Sequence, residues 1–303
     1  MKIVFLGTPE FSVLALDAII KAGHEVAAVV TMPDKPAGRG MQFQQSAVKK
    51  YALDHQLKVL QPEKLRDEQF ISELREINAD IQVVIAFRML PEVVWSMPKY
   101  GTINLHASLL PDYRGAAPIN WAIINGDTKS GVCTFLLKHE IDTGDILLKQ
   151  EVEIGESTSA GELHDTLMQV GAEVVVKSLE MIETGNYQTE AQPKFAGKLA
   201  PKIFKQDCQI DWSKSCSSIY NLIRGLSPYP AAHSQLHAKV IKIFKASNEI
   251  IGHQNDFGKA FSDGKTYLKF ACSDGYILVN ELQLEGKKRM LVDEFLRGYK
   301  WID

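Results

Sequence analysis

Along the first 185 residues, short, mostly apolar runs alternate with stretches whose apolar positions recur at helical spacing. Residues 2–7 form the first run and 25–31 the second, as expected of strands buried on both faces. Between them Phe11, Leu14, Ala15, Ala18 and Ile19 mark a helix, with Thr8 as its predicted N-cap, Pro9 at the first helical position and Gly23 at its end. The alternation continues with helices over 46–54 and 67–77, strands over 57–60 and 81–87, and a helical turn over 91–97. Strands over 131–137 and 146–154 follow. A long helix over 159–185 then carries Leu163, Leu167, Val170, Val174, Leu179 and Ile182 on one side. Strand and helix in turn predict an α/β fold with a Rossmann-like, mostly parallel sheet.

The pattern changes after residue 189. Residues 190–206 contain Pro193 and Pro201 among lysines and show little periodicity, so they read as a linker between domains over 1–189 and 207–303. The C-terminal part offers one helix, 213–226, with Ser213 as its cap. Short alternating segments over 237–246, 266–272 and 276–284 are punctuated by glycines. Short strands at that spacing predict a small OB-like β-barrel. No internal repeat is visible.

Composition narrows the function classes. The 303 residues are 45% hydrophobic and 23% charged, values of a globular protein. No apolar run approaches the roughly 18 residues needed to span a bilayer, and residues 1–7 lack a signal-peptide layout, so a cytoplasmic protein away from membranes is expected. Cys133, Cys208, Cys216 and Cys272 show no Cys-x-x-Cys spacing, and neither a zinc site nor a disulfide framework is indicated. The net charge of −3 divides unevenly, with 17 basic and 25 acidic residues over 1–189 against 17 and 12 over 190–303. Either the basic C-terminal part contacts a polyanion or the excess is ordinary scatter. The first strand–helix turn, Gly7-Thr-Pro-Glu-Phe11, is not the Gly-x-Gly-x-x-Gly dinucleotide fingerprint, so a nicotinamide enzyme is not indicated.

Candidate chemistry concentrates in residues 101–118. Ile103, Leu105 and Ala107 alternate with Thr102, Asn104, His106 and Ser108, so Asn104 and His106 project from one face of a strand as neighbours. An amide donor beside a titratable ring suits stabilisation of charge on a carbonyl oxygen while a proton moves. The plainer alternative is a half-exposed edge strand with an incidental histidine. Ser108, Leu109, Leu110 and Pro111 follow at the carboxyl end of that strand, where ligands bind in open parallel sheets. Tyr113 to Pro118 then read as the start of a helix. The turn at Ile141-Asp-Thr-Gly-Asp145 either returns Asp142 towards His106 or simply closes a hairpin as an Asx turn. Residues 32–45, rich in proline and glycine and carrying Lys35 and Arg39, are expected to form a long surface loop.

Asn104-x-His106-x-Ser-Leu-Leu-Pro111, Arg114-Gly-Ala-Ala-Pro118 and Asp142-Thr-Gly-Asp145 together resemble the 10-formyltetrahydrofolate-dependent formyltransferases. The loop motif Pro33-Asp-Lys-Pro-Ala-Gly-Arg-Gly40 and the C-terminal motifs Ile210-Asp-Trp-Ser213 and Asn221-Leu-Ile-Arg-Gly-Leu-Ser-Pro-Tyr-Pro230 point to the branch acting on tRNA. The resemblance implies transfer of a formyl group from 10-formyltetrahydrofolate, without a metal, to the α-amine of methionyl-initiator tRNA by a monomeric enzyme. Asn104 and His106 would stabilise the oxyanion, Asp142 would hold His106 and help relay the proton, and Ser108, Leu109, Leu110 and Pro111 would line the folate site. Arg39 and Lys35 would contact the acceptor stem, and the barrel would supply positive charge to the tRNA backbone. Two positions depart from that branch: Met41-Gln42-Phe43 stands where further basic residues are common, and Arg88 where glycine is common. The rival enzyme within the superfamily formylates a nucleotide-linked amino sugar. The class alternative is a tRNA-binding module with an inactive catalytic domain, against which the intact Asn104, His106 and Asp142 argue.

Overall fold

The apolar runs become a seven-stranded sheet in a computed structural model that describes residues 1–37, 42–194 and 197–300. Strand β1 (Lys2–Gly7) leads into helix α1 (Glu10–Lys21) and β2 (Glu25–Val30). The expected loop then contains a hairpin of β3 (Lys35–Ala37) and β4 (Gln42–Gln44), paired Lys35 to Gln44. Next come α2 (Ala47–Asp54), β5 (Val59–Leu60), α3 (Glu68–Ile77), β6 (Ile81–Ile85), α4 (Glu92–Trp95) and β7 (Thr102–His106). Extended β8 (Arg114–Gly115) precedes α5 (Pro118–Ile124), β9 (Lys129–Leu136), β10 (Ile146–Glu153) and α6 (Ala160–Thr184). The remaining elements are β11 (Leu199–Ala200), α7 (Cys216–Gly225), β12 (Ala232–Leu236), β13 (Lys239–Ile250), β14 (Ala260–Ser262), β15 (Leu268–Cys272), β16 (Gly275–Leu284), β17 (Met290–Leu291) and α8 (Val292–Gly298).

Two compact units emerge. The first comprises Met1–Gly115, Gly131–Val152 and His164–Leu199, and the second comprises Ala116–Ser130, Glu153–Leu163 and the chain from Ala200 onward. In the first, the sheet order is β10-β9-β7-β6-β1-β2-β5. Strands β7, β6, β1, β2 and β5 run parallel, and β9 lies antiparallel to β7. The fold is therefore Rossmann-like. The chain moves outward from β1 through β2 to β5, then returns to β6 on the other side of β1. The strand order thus reverses between β1 and β6, with β7 next to them, and in open α/β sheets ligands bind at the carboxyl ends of strands beside such a reversal. Val4, Leu6, Ala28, Val30, Phe70, Leu74 and Val84 fill the space between sheet and helices.

Local rules explain most boundaries, and two caps shift. Ser46 and Asp67 cap α2 and α3 by accepting backbone N–H groups, and Gly23 follows α1 at φ +85°. The N-cap of α1 is Pro9 rather than Thr8, whose hydroxyl oxygen is buried without a hydrogen-bond partner. Proline supplies the extended cap conformation itself, so the helix starts one residue later. The helix expected from residue 113 onward starts only at Pro118, because Arg114 and Gly115 are extended.

In the second unit β12-β13-β16-β15-β14 form an antiparallel sheet, with β17 added to β16. Register shifts around Lys245 bend β13 and curl the sheet. Its inner face packs Ile241, Ile243, Phe270, Ile277 and Leu282 against Ile219 and Ile223 of α7. Ser215, not Ser213, caps α7; Ser213 instead donates to Asp211 at 2.6 Å. Periodicity missed α8 and the short strands β12, β14 and β17, which are too brief to show a period.

Close backbone approach tests this packing directly. A Cβ on Gly131 would lie 2.3 Å from the Gln150 carbonyl oxygen and 2.5 Å from Leu109 Cδ2. Gly131→Ala is expected to cost about 1–3 kcal/mol by overpacking, measured as a lower midpoint in denaturant titration.

Candidate active site

Strand β7 places Asn104 and His106 on one face at the carboxyl edge of the sheet. His106 is buried, opposite Cys133 on β9, and Asn104 is half-buried opposite Phe135. The His106 Nε2 donates to the Tyr113 carbonyl at 2.9 Å. A carbonyl only accepts, so Nε2 carries the hydrogen and the neutral ring keeps its lone pair on Nδ1. Tyr113 holds φ +62°, the left-handed conformation that turns its carbonyl back to the ring. Its own N–H donates to the Lys198 carbonyl at 2.7 Å. Asn104 makes no side-chain hydrogen bond among the described residues, leaving its amide available to a ligand oxygen.

The turn at 141–145 does bring Asp142 to His106. Its Oδ2 lies 3.9 Å from Nδ1, an ion-pair separation for a protonated ring and too long for a hydrogen bond. The same oxygen accepts the Gly115 N–H at 3.1 Å. Asp142 sits at φ +55°, and a Cβ on Gly144 would fall 1.7 Å from the Leu136 carbonyl oxygen. The turn therefore lies against the backbone at the end of β9, which only a glycine permits.

A residue that the sequence did not single out holds this turn. Gln192 donates to the Asp142 and Gly144 carbonyls at 3.0 and 2.7 Å. Arg114 in turn donates to Gln192 Oε1 at 3.1 and 2.7 Å and to the Pro193 carbonyl at 2.9 Å. Gln192 falls in the aperiodic stretch read as linker, where no local pattern marks it.

Residues 1–179 match the family model described as Formyl transferase, and residues 202–300 match Formyl transferase, C-terminal domain. The chain belongs to the formyl transferase family. A methionyl-tRNA formyltransferase of Bacteroides fragilis is 52% identical over 99% of this chain and 95% of its own length. One from Flavobacterium johnsoniae is 52% identical over 100% and 98%. Among solved structures, an N-formyltransferase from Helicobacter canadensis, in complex with folinic acid and dTDP-3-aminofucose, shares the fold. It has a TM-score of 0.68 at 20% identity, covering 96% of this chain and 100% of that one.

The other sequence candidates in this formyltransferase divide by exposure. The Ser108 hydroxyl is fully buried and donates to the Asp112 carbonyl at 2.6 Å. Leu110 is buried with Cys133, Phe135 and Ile146, while Leu109 and Pro111 are half-buried. The Ser108 and Leu110 side chains thus shape the turn from within rather than offering surface. Arg88 donates to the carbonyls of Glu63, at 2.7 Å, and Pro62. Its guanidinium serves the backbone at 62–63, and burial lowers its pKa. Lys35 is exposed on the hairpin, with no hydrogen bond or ion pair to Asn104, His106 or Asp142 among the described residues. Arg39 lies outside the described residues. No helix among the described residues is long and apolar enough to cross a membrane.

The second unit carries a groove of about 1050 Å³ whose lining includes Lys202, Phe204, Lys205, Tyr229, His233 and Lys242. Phe204 and Tyr229 are 51% and 82% exposed, large rings left beside three lysines. Burial, then Lys205 and Lys242, lower the pKa of His233, so the positive charge of the groove comes from its lysines, with Glu285 as the acidic residue of the lining.

Two outcomes are expected here. Gln192→Ala should lower kcat about tenfold with an unchanged far-UV spectrum, because Gln192 positions Asp142 without touching a reacting atom. Burial raises the pKa of Cys133 to about 11, so roughly one thiol in a thousand is ionised at pH 8. Iodoacetamide at that pH should leave Cys133 unmodified in the native protein, as peptide mass mapping would read.

Proposed function

We propose that this chain transfers the formyl group of 10-formyltetrahydrofolate to the free α-amine of methionyl-initiator tRNA. The observation that carries this reading is the full-length identity to the methionyl-tRNA formyltransferases, together with the convergence of Asn104, His106 and Asp142. A catalytic domain over 1–189, a linker over 190–206 and a tRNA-binding domain over 207–303 complete the reading. The basic groove, with two exposed aromatic rings, has the chemistry of a nucleic-acid contact surface.

Each role fits the atoms available. The amine attacks the formyl carbon, a carbon–nitrogen bond forms, and the carbonyl oxygen becomes an oxyanion. The Asn104 amide donates to that oxygen. With Nε2 committed to Tyr113, the Nδ1 lone pair of His106 takes the proton released by the attacking amine. The imidazolium so formed faces the Asp142 carboxylate, which offsets its charge. Returning the proton to N10 of the folate as the carbon–N10 bond breaks leaves the ring neutral for the next cycle. Leu109 and Pro111 offer the exposed part of the folate wall, and Arg39 and Lys35 supply charge to the acceptor stem.

His106→Ala and Asp142→Ala should each lower kcat by roughly 10²-fold or more with folate binding largely kept. Normal turnover of either variant would remove that residue from the mechanism. The deciding assay follows labelled formyl from 10-formyltetrahydrofolate to methionyl-initiator tRNA, methionyl-elongator tRNA and an amino-sugar nucleotide. Transfer confined to the initiator tRNA is expected, and transfer to the sugar would replace the assignment. Arg39→Ala should raise KM for the tRNA while leaving the folate KM unchanged.

A further inference from the structure

Two thiols stand apart from the chemistry described so far. Cys216 opens α7 and Cys272 closes β15, 56 residues away in sequence, and their Sγ atoms lie 3.0 Å apart. Both residues are fully buried. A Cβ on Gly275 would come 3.0 Å from Cys216 Sγ and 2.0 Å from the Glu249 carbonyl oxygen, so a glycine there leaves room for the sulfur.

The surroundings of the pair accept hydrogen bonds and offer little positive charge. Cys216 Sγ faces the carbonyls of Glu249 and Tyr276 at 3.8 and 3.7 Å, and Cys272 Sγ lies 3.9 Å from Asp274 Oδ1. Burial, then Cys272 and Asp274, raise the pKa of the Cys216 thiol. Such a site disfavours two thiolates and therefore a bound metal ion, although Cys216, Cys272 and Asp274 are close enough together to be considered as ligands. Thiolates on a tetrahedral zinc ion stand about 3.8 Å apart, given its bond lengths, and Asp274 already accepts the Cys216 N–H at 2.7 Å. A disulfide is neutral, and its sulfurs need to approach by only about 1 Å more.

We propose that Cys216 and Cys272 are a redox pair that a disulfide oxidant, such as oxidised glutathione, converts into a buried crosslink between α7 and β15. Two S–H bonds break and one S–S bond forms; two electrons and two protons pass to the oxidant, which leaves as two thiols. In a reducing compartment the pair stays a dithiol. The crosslink would pin the first turn of α7, whose other end holds Arg224 against the carbonyls of Gly155 and Thr158 at 3.3 and 3.0 Å. Oxidation would therefore stiffen the second unit while leaving Asn104, His106 and Asp142 untouched.

Refolding the reduced, full-length protein in an oxidising glutathione buffer removes the barrier of burial and lets the pair equilibrate. The expected product has lost two of its four thiols and yields a Cys216–Cys272 peptide pair on non-reducing mass mapping. Its Tm should rise by roughly 5 °C or more and return to the reduced value with dithiothreitol. Cys216→Ser and Cys272→Ala, made separately, should each abolish that redox-dependent shift. Both thiols remaining free, each capped by glutathione instead, or one zinc ion per chain in the purified protein would overturn the proposal.

Discussion

The hydrogen bond from His106 Nε2 to the Tyr113 carbonyl is the constraint around which the candidate site is arranged. It fixes the ring orientation and decides which nitrogen can exchange a proton. It also depends on backbone that a straight continuation of β7 would not provide. The chain must reverse after Pro111 and adopt a left-handed conformation at Tyr113 before the carbonyl reaches the ring. The Ser108 hydroxyl on Asp112 and the Lys198 carbonyl on the Tyr113 N–H stabilise that reversal. Most groups near the imidazole thus act on its position rather than on a substrate.

The carboxylate partner is held by comparable means. Asp142 is aimed by the Gly115 N–H and by Gln192, and its turn lies against the end of β9 because Gly144 has no side chain. At 3.9 Å from Nδ1 the carboxylate attracts an imidazolium more strongly than a neutral ring. In the proposed mechanism its effect is therefore largest once the ring has taken a proton, the kind of differential stabilisation that catalysis requires. The second unit has a different logic. A curled sheet buries Phe270 and its neighbours and leaves lysines and aromatic rings around one groove.

Much of the fold was legible because its signals are local. Predominantly apolar runs at 2–7 and 81–87 predicted buried strands, and β1 and β6 are adjacent in the sheet. Asn104 and His106 could be placed on one face from the two-residue period alone. Where the reading slipped, a competing local rule won: Pro9 displaced Thr8 as cap, Ser215 displaced Ser213, and a hairpin formed inside a segment read as loop. Ser108 and Leu110 look like ligand contacts in a motif, yet burial turns their side chains inward.

The sequence by itself determined the alternation of elements, the amide and imidazole pair on one strand, and the family signature spread along the chain. Those properties depend on residue identity and on a period of two or 3.6, which operate over a few residues. Only the tertiary structure decided that Tyr113 orients His106, that Gln192 holds the Asp142 turn, and that Cys216 meets Cys272. Each joins segments with no periodic relation along the chain, so their meeting depends on how the sheets and turns close in space.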